Sequence, residues 1–202
     1  MKTTKLPLIA ASIAFVAAFS NKSFAQENPV TFGIKGGASL SSFGGDLKDT
    51  KSAVRYRLGL TTDIALTNNL FVFTGLDFQT KGAKYASKGG SEAKYNPIYA
   101  QIPLSIGYKV DLAPNTKFVV HAGGYAAYGI AGKIKNDPNN DKRSVFGKDG
   151  FKRLDYGLLG GVGVEFGKIA VSAGYEYGLA NINNAGPKIS NRNPYLTIGY
   201  KF

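Results

Sequence analysis

Asn193-Pro194-Tyr195-Leu196-Thr197-Ile198-Gly199-Tyr200-Lys201-Phe202 closes the chain. Leu196, Ile198, Tyr200 and Phe202 fall on alternate positions, with Tyr195, Thr197, Gly199 and Lys201 between them. A β-strand repeats every two residues, so the segment has one apolar face and one small or polar face. The same alternation recurs upstream and predicts eight strands, over 30–40, 54–66, 70–81, 98–110, 118–130, 152–166, 169–179 and 193–202. In the fourth, Ile98, Ala100, Ile102, Leu104, Ile106, Tyr108 and Val110 share a face. In the second, Val54, Tyr56, Leu58, Leu60, Ile64 and Leu66 do so.

The opposite faces carry Lys35, Arg55, Arg57, Asp63, Asp77, Gln79, Gln101, Lys109, His121, Arg153, Asp155, Glu165, Glu176 and Lys201, with many glycines. A soluble sandwich also alternates, so length must discriminate. These segments run ten to fifteen residues, whereas soluble strands usually stop near ~5–6 and a tilted membrane strand needs ~9–11. The connections agree. Those at 67–69, 111–117 and 167–168 are short, while those at 41–53, 82–97, 131–151 and 180–192 are long, in strict alternation. Short turns on one side and long loops on the other are the habit of an outer-membrane barrel. The expected fold is an all-β, eight-stranded antiparallel transmembrane barrel with both termini in the periplasm. Aromatic residues near segment ends, among them Tyr56, Tyr99, Tyr108, Phe166, Tyr177, Tyr195 and Tyr200, fit girdles at the two membrane interfaces.

The N-terminus supports export. Lys2 and Lys5 precede an apolar run over 6–19, and Ser23-Phe24-Ala25 offers small residues where a signal peptidase reads. The expected organisation is a cleaved signal over 1–25 and one barrel domain over 26–202. The absence of cysteine excludes disulfides and thiolate metal sites. The formal charge is +12, and losing Lys2, Lys5 and Lys22 with the signal leaves +9. Such basicity calls for an anionic partner. Export argues against nucleic acid and for anionic lipid headgroups or lipopolysaccharide phosphates.

Several stretches together resemble a known family. They are Phe32-Gly33-Ile34-Lys35-Gly36-Gly37, Tyr99-Ala100-Gln101-Ile102-Pro103-Leu104, and Arg153-Leu154-Asp155-Tyr156-Gly157 followed by Gly160-Gly161-Val162-Gly163. In order and spacing these resemble the small outer-membrane β-barrel proteins common in Bacteroidetes, the PorT-like barrel family. The resemblance covers essentially all of 26–202. It implies an integral outer-membrane protein, mostly without assigned enzymatic activity, with a few members serving the type IX secretion system. The last strand also resembles the signal read by the barrel assembly machinery, through Tyr200 and the final Phe202.

The inward charges Arg55, Arg57, Asp63, Asp77, Lys109, Arg153, Asp155, Glu165, Glu176 and Lys201 are the first candidate site. An eight-stranded barrel is just wide enough inside for side chains to fill it. Buried charges there need partners. They are expected to form an ion-pair network; a narrow pore for small solutes is the alternative. Pro103 cannot donate a ladder hydrogen bond and is expected to mark a bulge. His121, the single histidine, faces inward without an obvious nucleophile or acid beside it, so no enzyme and no cofactor is expected. Asp137-Pro138-Asn139-Asn140-Asp141 spaces oxygen ligands as calcium loops do, but Lys142 and Lys148 stand where glycine and glutamate belong, so no metal is expected. Most of the remaining charge falls in the predicted outer loops, notably Lys133, Lys135, Lys142, Arg143 and Lys148. Each cation near an anionic membrane is worth about 1 kcal/mol. Contact with lipopolysaccharide or an envelope protein partner is the functional reading of these loops, and a solvated basic loop is the other.

Overall fold

The computed structural model describes residues 29–46, 50–86, 92–136, 142–147, 150–184 and 186–202. The predicted signal, the 137–141 stretch and Lys148 lie outside them. Among the described residues there are eleven strands. They are β1 (Val30–Gly45), β2 (Thr50–Lys51), β3 (Ala53–Ala65), β4 (Leu70–Thr80), β5 (Lys84–Ala86), β6 (Glu92–Ala113), β7 (Thr116–Asn136), β8 (Lys142–Ser144), β9 (Leu154–Phe166), β10 (Ile169–Gly178) and β11 (Ile189–Lys201). Eight of them, β1, β3, β4, β6, β7, β9, β10 and β11, each pair antiparallel with the next, and β1 pairs with β11 to close the ring. The short β2, β5 and β8 extend the wall at its outer end.

The wall is turned inside out relative to a soluble protein. Leu58, Leu104 and Ile198 are 60 to 66% exposed, while Asp77, Gln101 and Glu176 are at most 2% exposed. Only a lipid surround makes that arrangement favourable. Two turns at the periplasmic end are tight. Asn115 (φ 61°) follows Pro114, and Gly167 (φ 55°) sits at the first centre of a two-residue hairpin loop. Inside, Gly174 and Gly161 make room for Tyr195. A β-carbon at Gly174 would run into the Tyr195 ring, and one at Gly161 would lie 3.1 Å from its hydroxyl.

Three expectations need correction. β1, β6, β7 and β11 run past their predicted ends, above all β6 with 22 residues and β7 with 21. Beyond the lipid the outer face of a strand is wet, so the outward apolar series that carries the period-two signal ends while the ladder continues. Pro103 carries no bulge. It faces Tyr125 in register on the β7 side, and the pairing with β4 lapses between Thr74–Leu104 and Asp77–Gln101 without a shift. The missing N–H interrupts the ladder there, and the register shift in outer β6 lies at Ile98/Tyr99 instead. Tyr99 and Tyr195 are not girdle residues. They occupy inward positions of β6 and β11, Tyr99 fully buried and Tyr195 beneath the Arg57 guanidinium.

The apolar core sits at the outer mouth. Val145, Phe146, Phe151 and Ile182, from the outer segments, pack on Phe43, Tyr99 and Tyr125 of the wall. Phe151 meets Phe43 edge-on and stacks on Tyr95, each with centroids 5.4 Å apart, and Phe146 meets Tyr99 edge-on at 5.7 Å. Backbone hydrogen bonds fasten this cap, from Phe151 N to Val145 O at 2.8 Å and from Lys152 N to Ile182 O at 2.7 Å.

Candidate functional site

Below the cap the barrel holds two ionic clusters, each with as many cations as carboxylates. The outer one joins Lys35, Arg57 and Lys81 to Asp77, Asp155 and Glu176. The Arg57 guanidinium pairs with Glu176 and donates to Gln79 Oε1 at 2.7 Å. Lys81 Nζ lies 2.9 Å from Asp155 Oδ2 and 3.6 Å from Glu176 Oε2. Lys35 Nζ reaches Asp77 Oδ1 at 3.0 Å. Neutral donors complete the shell: Gln101 to Glu176 at 2.8 Å, Asn191 to Asp155 at 2.9 Å, and the Tyr125 hydroxyl to Asp155 at 3.4 Å. Aromatic faces shield the cations, with Lys81 Nζ 4.2 Å from the Tyr125 centroid and Arg57 4.3 Å from that of Tyr195.

The second cluster stands near the periplasmic end. Lys109 Nζ contacts Asp63 at 2.8 Å and Glu165 at 3.0 Å, and Lys201 pairs with the same two carboxylates. Buried charges are costly unless paired, and every charge in both clusters has an opposite charge within 4.0 Å, although Asp77 Oδ1 and Arg57 Nε lack a hydrogen bond. Between the clusters lies a cavity of about 120 Å³ whose lining includes Lys35, Thr61, His121, Ser172 and Thr197.

Arg55 and Arg153, expected in the network, stand at its outer rim instead. Arg55 donates to the Tyr95 carbonyl at 2.7 Å and to Asn96. Arg153 donates to Gly129 O at 2.6 Å and covers the Phe146 ring. Both lie one strand repeat beyond the paired charges, where backbone carbonyls and the cap are nearer than any carboxylate of the network. The sequence reading missed Lys81, Asn191 and Asn193. Lys81 and Asn193 lie at the ends of the predicted strands 70–81 and 193–202, at alternate positions with Gln79 and Tyr195, so parity alone would have found them, and Asn191 needed the last strand extended by two residues. The hydrogen-bond partner of His121 is Ser105, at 3.2 Å. Among the described residues no group of His, Asp and Glu has the geometry to hold a metal ion.

The basic residues are also placed differently from expectation. Lys133 and Lys135 belong to β7, and Lys142 and Arg143 to β8, so they stand on strands and not in a loose loop. Lys133 is exposed. Tyr200 and Phe202 face outward at the periplasmic end, their ring centroids 5.9 Å apart.

A sealed eight-stranded wall with a lipid-facing outer surface defines an integral barrel of the bacterial outer membrane. Residues 24–184 match the family model of the outer membrane protein beta-barrel domain, and the chain belongs to that family. No curated protein matches it in sequence. Among solved structures, Neisserial surface protein A is similar at 15% identity and TM-score 0.50, covering 85% of this chain and 97% of that one. OprG of Pseudomonas aeruginosa (17%, TM-score 0.46, 85% and 95% covered) and Ail of Yersinia pestis (14%, 0.46, 86% and 99%) are also similar.

Proposed function

We propose that this outer-membrane barrel has a structural and interaction role and works through its outer surface, not its lumen. The carrying observation is the filled interior: two neutral ionic clusters beneath an apolar cap. A narrow pore would need that cap and both clusters to part. What remains accessible is the outer extension, where β2, β5, outer β6, outer β7 and β8 form one sheet. Its basic residues, Lys133, Lys135, Lys142 and Arg143, with Lys148 nearby in the chain, suit surface lipid or an envelope protein partner.

A photo-crosslinking residue in place of Ser144, in intact cells, tests this. Lipopolysaccharide or a defined envelope protein should be captured there and not from Lys117 at the periplasmic rim. Equal, background-level capture at both positions would refute the reading.

The resemblance to PorT-like barrels supports a second reading, an accessory subunit of a type IX-like secretion system. The same outer sheet gives it a surface for a protein partner, and co-purified secretion components would favour it. The exposed Tyr200–Phe202 pair is proposed as the contact for the barrel assembly machinery. The ionic clusters are proposed to be structural.

A further inference from the structure

The outer sheet carries a row of lysines in register. Lys51 faces Lys84, Lys84 faces Lys94, Lys94 faces Lys135, and Lys135 faces Lys142. One lysine from each of five adjacent strands thus stands on a single line across the sheet. Like charges directly opposite one another destabilise a sheet, and this row makes that arrangement four times over. The neighbouring row fixes its face. Tyr95 and Ile134 are paired across β6 and β7 and pack against the apolar cap, so Lys94, next to Tyr95 in the chain, lies on the other face, away from the barrel axis, and the other four lysines hold backbone positions in register with it. Lys51 and Lys94 are exposed. Lys133, two residues along β7, adds a charge to the same face.

Height decides what that face meets. Ile98 is the outermost residue of the lipid-facing apolar series on β6, and Ile130 stands near it on β7, 47% exposed. Lys94 is four residues beyond Ile98. At about 3.3 Å per residue and a tilt of about 40°, the row stands roughly 10 Å above the apolar band. That is the level of outer-leaflet headgroups, and the exposed Lys94 looks sideways into them.

We infer that this lysine row is a binding stripe for the phosphates of a glycolipid in the surrounding outer leaflet. Bound phosphate would bridge lysines that face one another across the strands and fix the barrel against its lipid neighbours. The inference rests on the reading of the outer sheet as an interaction surface and names its ligand.

The test titrates diphosphoryl lipid A, and separately its dephosphorylated form, into the folded full-length barrel in neutral detergent, with native mass spectrometry counting bound lipid. The wild type should prefer the diphosphoryl form by about tenfold, a preference that falls with added salt. K94E/K135E and, independently, K51Q/K84Q/K142Q should lose it, while K117E should keep it. Unchanged gel migration before boiling will show that each variant is folded. Equal binding of the two lipids by the wild type, or a preference intact in both row variants, would overturn the inference. Equal lipid binding with an acidic envelope protein crosslinked at Ser144 would assign the row to that protein and leave the interaction role standing. Loss of crosslinks at Ser144 as well would remove both.

Discussion

Lys81 Nζ and Asp155 Oδ2 lie 2.9 Å apart in the barrel, with neither side chain exposed to solvent. Lys81 stands just past the end of β4 and Asp155 at the start of β9, so the pair ties opposite parts of the ring. Removing one partner of a buried pair leaves an uncompensated charge, at a cost of about 3–5 kcal/mol. Lys81→Met is therefore expected to lower the urea midpoint of the folded barrel markedly. Lys81→Met combined with Asp155→Asn should recover much of the loss, because no charge is then stranded. A double variant no more stable than the single one would show that the pair is not the source of the effect.

The rim pair provides the contrast. Lys117 and Asp111 are joined, yet their side chains are 43% and 66% exposed. Exposed pairs contribute about 0–1 kcal/mol. Lys117→Ala should leave the urea midpoint within experimental scatter, and a shift comparable to that of Lys81→Met would contradict this ranking.

The wall can be tested from the lipid side. Leu104 is 61% exposed on β6, facing Gly124 of β7 and Thr74 of β4 in the middle of the barrel wall. Arginine at the bilayer midplane costs about 2–4 kcal/mol on a barrel surface. Leu104→Arg should destabilise the barrel by that order in a lipid refolding titration. Ser52→Arg, exposed above the apolar band, should cost little. Equal costs at the two positions would mean that the band is misplaced.

The cap should open before the barrel does. Phe146 and Phe151 each fill part of the mouth, and truncating a buried phenylalanine to alanine typically costs about 3–5 kcal/mol. Part of that loss should be local. F146A/F151A is expected to make the 142–153 segment cleavable by an added protease while the heat-dependent gel shift is kept. Continued protection of that segment would show that hydrogen bonds alone hold the cap.

Much of the ring was legible because lipid imposes a strict rule on every second residue. Leu58, Leu60, Ile102, Leu104, Leu196 and Ile198 fix both strand identity and facing, and the charges opposite them follow. Legibility failed where that rule stops. Outer β6 and β7 leave the lipid at Ile98 and Ile130, so Lys94 and Lys135 read as loop residues although they sit in a continued ladder. The cap was invisible because Phe146, Phe151 and Ile182 come from irregular segments with no period at all. Arg55 and Arg153 were placed with the network because their parity is inward. Parity gives a face, but only the three-dimensional wall shows which carboxylate is within reach.

Two ion-pair clusters, one on either side of a small cavity, and an apolar cap at the mouth close the lumen. Planar-bilayer recording of the refolded wild-type barrel tests this closure most directly. A silent bilayer is expected at moderate voltage, with no steady steps from the wild type or from Lys117→Ala. Stable ohmic steps from the wild type, altered in size by Arg57→Gln, would contradict it and make this barrel a conduit.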